Sequence, residues 1–481
     1  MRLIALWALP ALAAALNFAV PRRAARAARW RVATLVLVAA LHLGLVATIW
    51  VRPAGPALDD WLAADALGLV VLTLTSVLFF VTSLYTVEFL KRGRRGAARV
   101  FVTGLLAFLA AATIVALSHH LALLWVGIEA TTLALAPLIF HRHDRRSLEA
   151  VWKYLLISSV GIALALLGTF FLATAQHDVG GRPLIVADLV ARAGQLHPAW
   201  LRAGFLFMLI GFGTKMGLAP MHTWKPDTYG EAPSPVSGLM AGALTSCAFL
   251  GVARVTEVAM AAGLDAFVQP VLLGFGMLSL VVAAVFIIGQ TDLKRLLAYS
   301  SVEHMGLLVL GLGFGGVGTY GSVLHMLNNG LTKGWLFLIA GNVVLATGTS
   351  SAAASRGLVR TLPVSGPLLV VGLFAVTGSP PFGLFLSEFT ILRAAIAAGH
   401  PWTAAAMLLL LAVIFVGMAA LILGMALGEA APGATPIQES RWLVAGPIAL
   451  AVAVLILGLY IPAPLRDVLA RAATALGGSA P

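Results

Sequence analysis

The stretch GFLFMLIGFGTKMGLAP, residues 204–220, decides the fold class because it is apolar enough to lie in lipid and yet contains Lys215. An ammonium group at the centre of a membrane-spanning helix costs roughly 2.5–3.5 kcal/mol on insertion scales. A lysine in such a place indicates a functional group with a partner nearby. Glu129, inside the apolar run LLWVGIEATTLALAPLIF, is the acidic candidate.

Three more ionisable residues, Glu303, Lys333 and Glu388, each lie in an apolar stretch of their own. The chain is 60% hydrophobic and only 10% charged over 481 residues, whereas soluble domains are usually about 25% charged. These values predict an all-α, polytopic membrane protein. Ionisable groups spread through a membrane domain are typical of a proton path.

The low cysteine content excludes several kinds of site. The single cysteine, Cys247, excludes a disulfide framework and any cluster held by several thiolates of this chain. We therefore expect no cofactor, no metal and no redox centre within it. The net charge of +12 comes from arginines in short loops between apolar spans. This distribution is typical of proteins that span a lipid bilayer and not of proteins that bind nucleic acid.

Fourteen stretches are long enough to cross about 30 Å of hydrocarbon. The eleventh and twelfth are long enough to be bent or broken, and Gly378, Pro380 and Pro381 interrupt the twelfth. The predicted spans are 2–20, 32–51, 67–90, 100–118, 120–140, 151–175, 201–220, 236–258, 266–289, 295–314, 317–347, 364–397, 402–428 and 442–462.

Basic residues in short loops predict the orientation, because such loops stay in the cytoplasm. The loops after the first, third and fifth spans are rich in arginine and lysine, whereas the intervening loops carry Asp59, Asp60, Asp65, Asp178 and Asp188. We therefore expect both termini to face the outside. The basic residues are Arg22, Arg23, Arg26, Arg29, Arg31, Lys91, Arg92, Arg94, Arg95, Arg99, Arg142, Arg145 and Arg146.

The seventh and twelfth spans are both interrupted by glycine and proline, and each places a charged residue beside the interruption. Broken helices at corresponding places in two halves of a transporter indicate its ion path. We predict one integral membrane domain over residues 1–481 with two inverted five-helix repeats. Helices 1–3 would occupy residues 1–99, the repeats 100–258 and 266–428, and helix 14 with the tail 442–481.

Several strings resemble one known superfamily. KMGLAPMHTWKPDTYGEAPSPVSGLMAG, residues 215–242, resembles the seventh-helix signature of the antiporter-like subunits of complex I, the Mrp cation/proton antiporters and the membrane-bound hydrogenases. QTDLKRLLAYSSVEHMG, LHMLNNGLTKGWLFLIAGN and GSPPFGLFLSEFTILRAA support the resemblance, which covers about residues 65–430. Within that superfamily the chain is most similar to the hydrogenase-4 component F family.

The resemblance implies roles for five residues. Glu129 and Lys215 match a switchable ion pair at the entry of a half-channel, and His222 matches the histidine after the broken helix. Lys333 matches the lysine of the eleventh helix, and Glu388 matches the terminal acidic group beside the exit. Lysine suits this role because it can lose its proton when it is desolvated, whereas arginine stays charged.

Spacing on the eleventh span supports a polar stripe without any resemblance. His325, Asn329 and Lys333 recur every fourth residue and so share one helix face, which should point to the bundle interior or to water. A hydrogen-bonding ridge that joins helices is the alternative for His325 and Asn329.

One position departs from the superfamily. Members commonly have a second lysine on the eighth helix as the central relay, but LMAGALTSCAFLGVAR places Ser246 there. Water held by Ser246 and Thr245 could replace the lysine, or Glu303 and His304 could supply the relay instead.

The resemblance implies a proton-translocating subunit of a complex I-like membrane-bound hydrogenase or formate hydrogenlyase. Its partners would be other membrane subunits and peripheral redox subunits, namely nickel–iron hydrogenase-like and iron–sulfur proteins, in a bacterial cytoplasmic membrane. The alternatives are an Mrp-like sodium/proton antiporter, a proton-driven energising subunit for inorganic-carbon uptake, and a scaffold without transport.

Overall fold

The computed structural model describes residues 1–20, 27–92, 98–430 and 435–480. In this part of the chain the secondary structure is helical, and the remaining backbone pairs are isolated bridges between loops. The first eleven α-helices are α1 (Arg2–Ala19), α2 (Ala27–Val51), α3 (Ala66–Arg92), α4 (Ala98–Leu117), α5 (Leu121–Ile139), α6 (Arg145–Gln176), α7 (Val186–Ala191), α8 (Pro198–Met216), α9 (Trp224–Glu231), α10 (Ser234–Leu239) and α11 (Thr245–Ala261).

The second half of the chain adds nine helices. They are α12 (Asp265–Ile287), α13 (Leu293–Phe314), α14 (Val317–Thr347), α15 (Leu358–Thr361), α16 (Ser365–Val376), α17 (Gly383–Ala397), α18 (Pro401–Leu427), α19 (Arg441–Leu459) and α20 (Ala463–Ala475).

Twelve helical segments in the described ranges are long and apolar enough to cross a bilayer. This makes the chain a polytopic integral membrane protein, as its composition predicts. The seventh and twelfth predicted spans correspond to α8 and to α16 with α17, which are not among the twelve. The count of fourteen spans and the two inverted repeats stay predictions.

Two of the predicted breaks occur where the sequence places them. The helix α8 ends at Met216, and Gly217 follows in the left-handed conformation with φ +79°. The twelfth span divides into α16 and α17 around Gly378, whose φ is +64°. A Pro-rich turn cannot continue a helix, so both interruptions follow from local chemistry.

The eleventh span is different. The helix α14 runs unbroken over 31 residues, so the predicted break does not occur there. Its glycines serve close packing instead. A methyl group on Gly330 or Gly334 would clash with Leu74 or Leu78 of α3, so these glycines let the two helices approach each other.

The orientation prediction rests partly on residues outside the described ranges. Arg22, Arg23, Arg26, Arg94 and Arg95 lie there. Arg31 belongs to α2 and not to a loop; its guanidinium donates to the Val20 carbonyl at 2.9 Å.

An ion pair fixes the start of α3 to the end of α11. Arg254 Nη1 lies 2.6 Å from Asp65 Oδ2, and the arginine side chain is only 3% exposed. Burial alone would raise the pKa of the Asp65 carboxyl, but Arg254, with His119, holds that pKa well below its usual range. The pair therefore contributes stability at neutral pH.

We expect Arg254→Gln to lower the free energy of unfolding by about 2–3 kcal/mol, because it leaves a half-buried carboxylate without its partner. The folded-state pKa of Asp65 is lowered, so this stabilisation is present above about pH 4 and shrinks as the pH falls. Thermal unfolding in detergent at about pH 7 and below about pH 4 measures both effects. Arg466→Gln is the control, since that side chain is 63% exposed; equal melting of the two variants would contradict the assignment.

Candidate functional site

Lys215 is the centre of the first polar cluster within the bundle. It lies in the last turn of α8 and is fully buried. Its Nζ donates to Thr132 Oγ1 on α5 at 2.7 Å and to the Tyr154 hydroxyl on α6 at 2.8 Å. Thr132 Oγ1 donates in turn to Glu129 Oε2 at 3.2 Å. Lysine, hydroxyl and carboxylate thus form one hydrogen-bonded chain.

The sequence predicts a direct ion pair between Glu129 and Lys215. In the described structure the hydroxyl of Thr132 stands between the two charged groups instead. A hydroxyl can accept one hydrogen bond while it donates another, so it can pass a proton from one neighbour to the next. The correction therefore keeps the two predicted residues in one cluster and adds a third.

A second cluster repeats this chemistry around Lys333. Its buried Nζ donates to Ser300 Oγ at 2.7 Å and to the Leu297 carbonyl at 3.4 Å. Ser300 Oγ donates to Glu303 Oε2 at 3.2 Å. Lys333 belongs to α14 and the other three residues to α13. Each cluster therefore consists of a buried lysine linked by one hydroxyl to a glutamate on another helix.

Two histidines continue from the second cluster toward α17. His304 Nδ1 lies 3.0 Å from His325 Nε2, and His325 Nδ1 lies 2.9 Å from Ser387 Oγ. Both rings are completely buried. Because a neutral imidazole has one donor and one acceptor nitrogen, neutral rings in this series adopt matching tautomers, and the passage of a proton that enters at one end while another leaves at the other end reverses both.

Glu388 lies at the far end of this series. It is 8% exposed, its Oε1 is buried without a hydrogen-bond partner among the described residues, and it follows Ser387 directly. One ligand atom from each of His304, His325 and Glu388 lies within 4.8 Å of the others. Two imidazoles and a carboxylate are suitable zinc ligands. Lys333 is a buried cationic neighbour of both imidazoles, which disfavours a dication at this place.

The glycines at the two helix breaks make room for ionisable side chains. A Cβ atom on Gly217 would lie 2.6 Å from Lys225 Cδ and 3.0 Å from its Nζ. A Cβ atom on Gly378 would overlap the carboxylate of Glu388. Both glycines have positive φ, so substitution is unfavourable for the backbone as well.

Three predicted residues lie apart from these clusters. His222 is buried in the loop after α8, with its ring centroid 6.3 Å from those of Phe286 and Tyr299. Ser246 donates to the Gly242 carbonyl of its own helical turn at 2.7 Å and joins neither cluster. Asn329 is buried on α14, and its Oδ1 has no hydrogen-bond partner among the described residues.

Sequence reasoning missed the hydroxyl groups of Thr132 and Ser300, the phenol of Tyr154 and the ammonium group of Lys225. Thr132 follows Glu129 by three residues, and Ser300 precedes Glu303 by three, so helical spacing gave a signal for both. Lys225 lies inside the signature string itself. It is fully buried and donates to the carbonyls of Met216, at 2.7 Å, and Ser301, at 3.5 Å.

A polar cleft of about 450 Å³ opens beside α9. Asp227 there accepts hydrogen bonds from Lys153, at 2.7 Å, and from Arg295. Burial alone would raise the pKa of Asp227, but these two cations hold it below its usual range. The cleft thus contains charged groups of both signs and provides a hydrated surface near the broken helix.

Comparisons with known proteins agree with this architecture. The family model described as "NADH:quinone oxidoreductase/Mrp antiporter, TM" matches residues 118–415. A hydrogenase-4 component F homolog of Methylacidiphilum infernorum is 35% identical over 344 residues, which is 69% of this chain and 72% of that protein.

Solved structures give the same picture. A chain of respiratory complex I from Thermus thermophilus is 27% identical, with a TM-score of 0.77 over 95% of this chain and 97% of that one. A chain of an archaeal membrane-bound sulfane sulfur reductase shares the fold, with a TM-score of 0.87 at 22% identity over 99% and 98% of the two chains. The protein is therefore a member of the NADH:quinone oxidoreductase/Mrp antiporter transmembrane family.

Proposed function

We propose that this chain is the proton-translocating membrane subunit of a complex I-like assembly of the membrane-bound hydrogenase or formate hydrogenlyase type. The observation that carries the proposal is the pair of clusters in which a fully buried lysine, a buried hydroxyl and a glutamate are linked in series. Such groups are costly in a membrane and are expected to be functional.

The first cluster would work by a concerted proton shift. The Lys215 ammonium gives a proton to Thr132 Oγ1 while the threonine gives its own proton to the Glu129 carboxylate. Lysine and glutamate end neutral, and the threonine is unchanged. The reverse shift restores the two charges. The shift itself leaves the number of protons in the cluster unchanged, and a net transfer follows when a proton enters at one end of the hydrogen-bonded chain and another leaves at the other end.

In the second cluster Lys333, Ser300 and Glu303 would act in the same way. The proton would then pass by His304 and His325 to Glu388, which we assign as the exit group. The sequence predicts that Lys333 hands its proton toward Glu388. In our proposal the two imidazoles divide this transfer into several steps, each over a shorter distance. Glu303 thereby becomes the partner of Lys333.

The buried groups favour protons over sodium as the transported ion. Sodium needs several oxygen ligands around one point, whereas each cluster has an ammonium group at its centre that would repel a cation. This favours the proposed function over an Mrp-like sodium/proton antiporter. Membrane subunits and peripheral hydrogenase-like and iron–sulfur subunits are the proposed partners, in a bacterial cytoplasmic membrane.

We also propose that residues 100–258 and 266–428 act as two related units. The equivalent packing of α4 on α5 and of α12 on α13 supports this, as does that of α6 on α8 and of α14 on α17. Each unit would contain one of the two lysine clusters. N-terminal residues 1–99 and the segment 442–481 would then frame the two units.

The first functional prediction concerns the bridging hydroxyl. We expect Lys215→Met, Glu129→Gln and Thr132→Val each to reduce proton uptake at least about tenfold, because each interrupts the chain at one member. The measurement uses the complex purified with its native partners, reconstituted in liposomes containing pyranine and driven by an electron donor to the partner subunits.

Thr131→Val is the matched control, since Thr131 is equally buried but donates only to the Ile128 carbonyl of its own helix. Wild-type transport by the Lys215 and Glu129 variants would refute the function. Loss in those two variants, with full transport in Thr132→Val, would refute only the hydroxyl bridge.

The second prediction concerns the exit. Glu388→Gln should stop transport while electron transfer in the partners continues with an artificial acceptor, because the amide keeps the shape but cannot titrate. Glu388→Asp should keep part of the transport. Equal behaviour of the two variants would make Glu388 a structural hydrogen-bonding group and would favour a scaffold.

Gly378→Ala offers an independent test of the exit, because the added methyl group must displace the Glu388 carboxylate. We expect a loss similar to that of Glu388→Gln. Gly399→Ala is the control, since that glycine also has positive φ, at +77°, but nothing lies near its missing Cβ. A similar loss in both variants would trace the effect to backbone strain.

The third prediction concerns orientation. We expect a cysteine at the exposed Arg145 to be protected from an impermeant maleimide in intact cells, and a cysteine at Asp178 to be labelled, because basic loops stay in the cytoplasm. Native Cys247 is buried and should not react. The opposite labelling pattern would invert the proposed topology and place both termini inside.

A further inference from the structure

Lys225 is a fully buried lysine in the segment WKPDTYGE. It lies in the second position of α9, the short helix that follows the break after α8. Its Nζ has no carboxylate within ion-pair distance in the part of the chain that the structure describes. The hydrogen-bond acceptors that it has there are two carbonyl groups.

Those two carbonyls belong to residues that follow members of different clusters in the sequence. Met216 directly follows Lys215 of the first cluster, and Ser301 directly follows Ser300 of the second. Nζ lies 2.7 Å from the Met216 oxygen and 3.5 Å from the Ser301 oxygen. Lys225 is therefore placed at the junction of the two clusters, with α8 on one side and α13 on the other.

The surroundings hold the side chain between the two elements. Gly217 leaves space along the lysine stem, since a Cβ there would lie 2.6 Å from Cδ. The ring of Tyr229 is 5.6 Å from Nζ and presents a π face to the cation. Nζ lies within hydrogen-bond distance of the Met216 and Ser301 carbonyls at once, so the amine reaches both elements without a change of conformation.

A purely structural reading explains this lysine poorly. One carbonyl oxygen of a broken helix end can be satisfied by an uncharged hydroxyl or amide donor, which needs no titratable group in the bundle interior. Ser246, the position at which the sequence predicts a central relay, bonds only within its own helix. Lys225 is therefore the titratable group at the junction that is suited to connect the clusters.

We propose that Lys225 is the central proton relay that connects the Lys215 cluster with the Lys333 cluster. This inference rests on the proposed function. Neutral Lys225, whose Nζ contacts α8 and α13 at once, takes a proton released by the Lys215 ammonium and gives a proton to the second cluster, where the Glu303 carboxylate receives it. Lys225 returns to its neutral amine, so one proton moves and no other bond changes.

The test compares Lys225→Met with Lys225→Arg in the complex with its native partners. We expect both variants to lose at least about nine-tenths of proton uptake. Methionine cannot carry a proton, and arginine keeps its charge and cannot release one. Both variants should co-purify with the partner subunits, because methionine keeps the apolar packing of the stem and arginine can still donate hydrogen bonds to the two carbonyls.

Lys294→Met is the matched control. Lys294 is equally buried and also donates to two backbone carbonyls, those of Gly230 and Ala232, but these acceptors belong to the α9 side and to neither cluster. Its variant should transport protons like the wild type. If Lys225→Met fails to assemble, Lys225→Gln serves in its place, since the amide still donates a hydrogen bond but cannot take up a proton.

Three outcomes separate the inference from the proposed function. Full transport by Lys225→Met or by assembled Lys225→Gln, with Lys215→Met inactive, overturns the relay alone. Full transport by Lys225→Arg, with Lys225→Met inactive, shows that a fixed charge suffices and also overturns it. Full transport by Lys215→Met overturns the proposed function, whatever the Lys225 variants do.

Discussion

The accommodation of ammonium groups within a membrane domain is the constraint on which the rest of this structure depends. A lysine in direct contact with a carboxylate at low dielectric would form a deep electrostatic trap. In both clusters a hydroxyl separates the two charges, which weakens their attraction while it keeps each group hydrogen-bonded. The separation makes each pair easier to switch, and the hydroxyl itself can carry the proton.

The helix breaks follow from the same constraint. A break exposes carbonyl groups that lipid cannot satisfy, so donors must be buried beside them. At the end of α8 the Met216 carbonyl receives the Lys225 ammonium, and Gly217 leaves the space that the lysine stem occupies. At the twelfth span Gly378 leaves the space that the Glu388 carboxylate occupies. Glycine at a break thus serves both the backbone conformation and the fit of an ionisable side chain.

The helical membrane fold and most of the ionisable residues of the candidate site could be predicted from the sequence, because a charged residue is conspicuous in an apolar stretch. The hydroxyl groups did not stand out. Thr131 and Thr132 are adjacent and equally buried, yet only the latter bonds to Lys215, a difference that depends on the packing of α5 against α8. Lys225 was missed because its segment also contains Asp227, Thr228 and Glu231 and so predicts a surface loop. In the structure the lysine side chain is instead fully buried.

Three lysines in series have a further electrostatic consequence. Lys215, Lys225 and Lys333 are all buried, so a proton on one disfavours a proton on the next. With Glu129 and Glu303 as counter-charges at the two ends and none at Lys225 among the described residues, the junction is the least favourable place for a proton to remain. In the proposed relay, a proton that reaches Lys225 is therefore driven on toward one cluster or the other. The protonation state of the two glutamates then sets the direction of this transfer. A change of protonation in one cluster would thus affect the other.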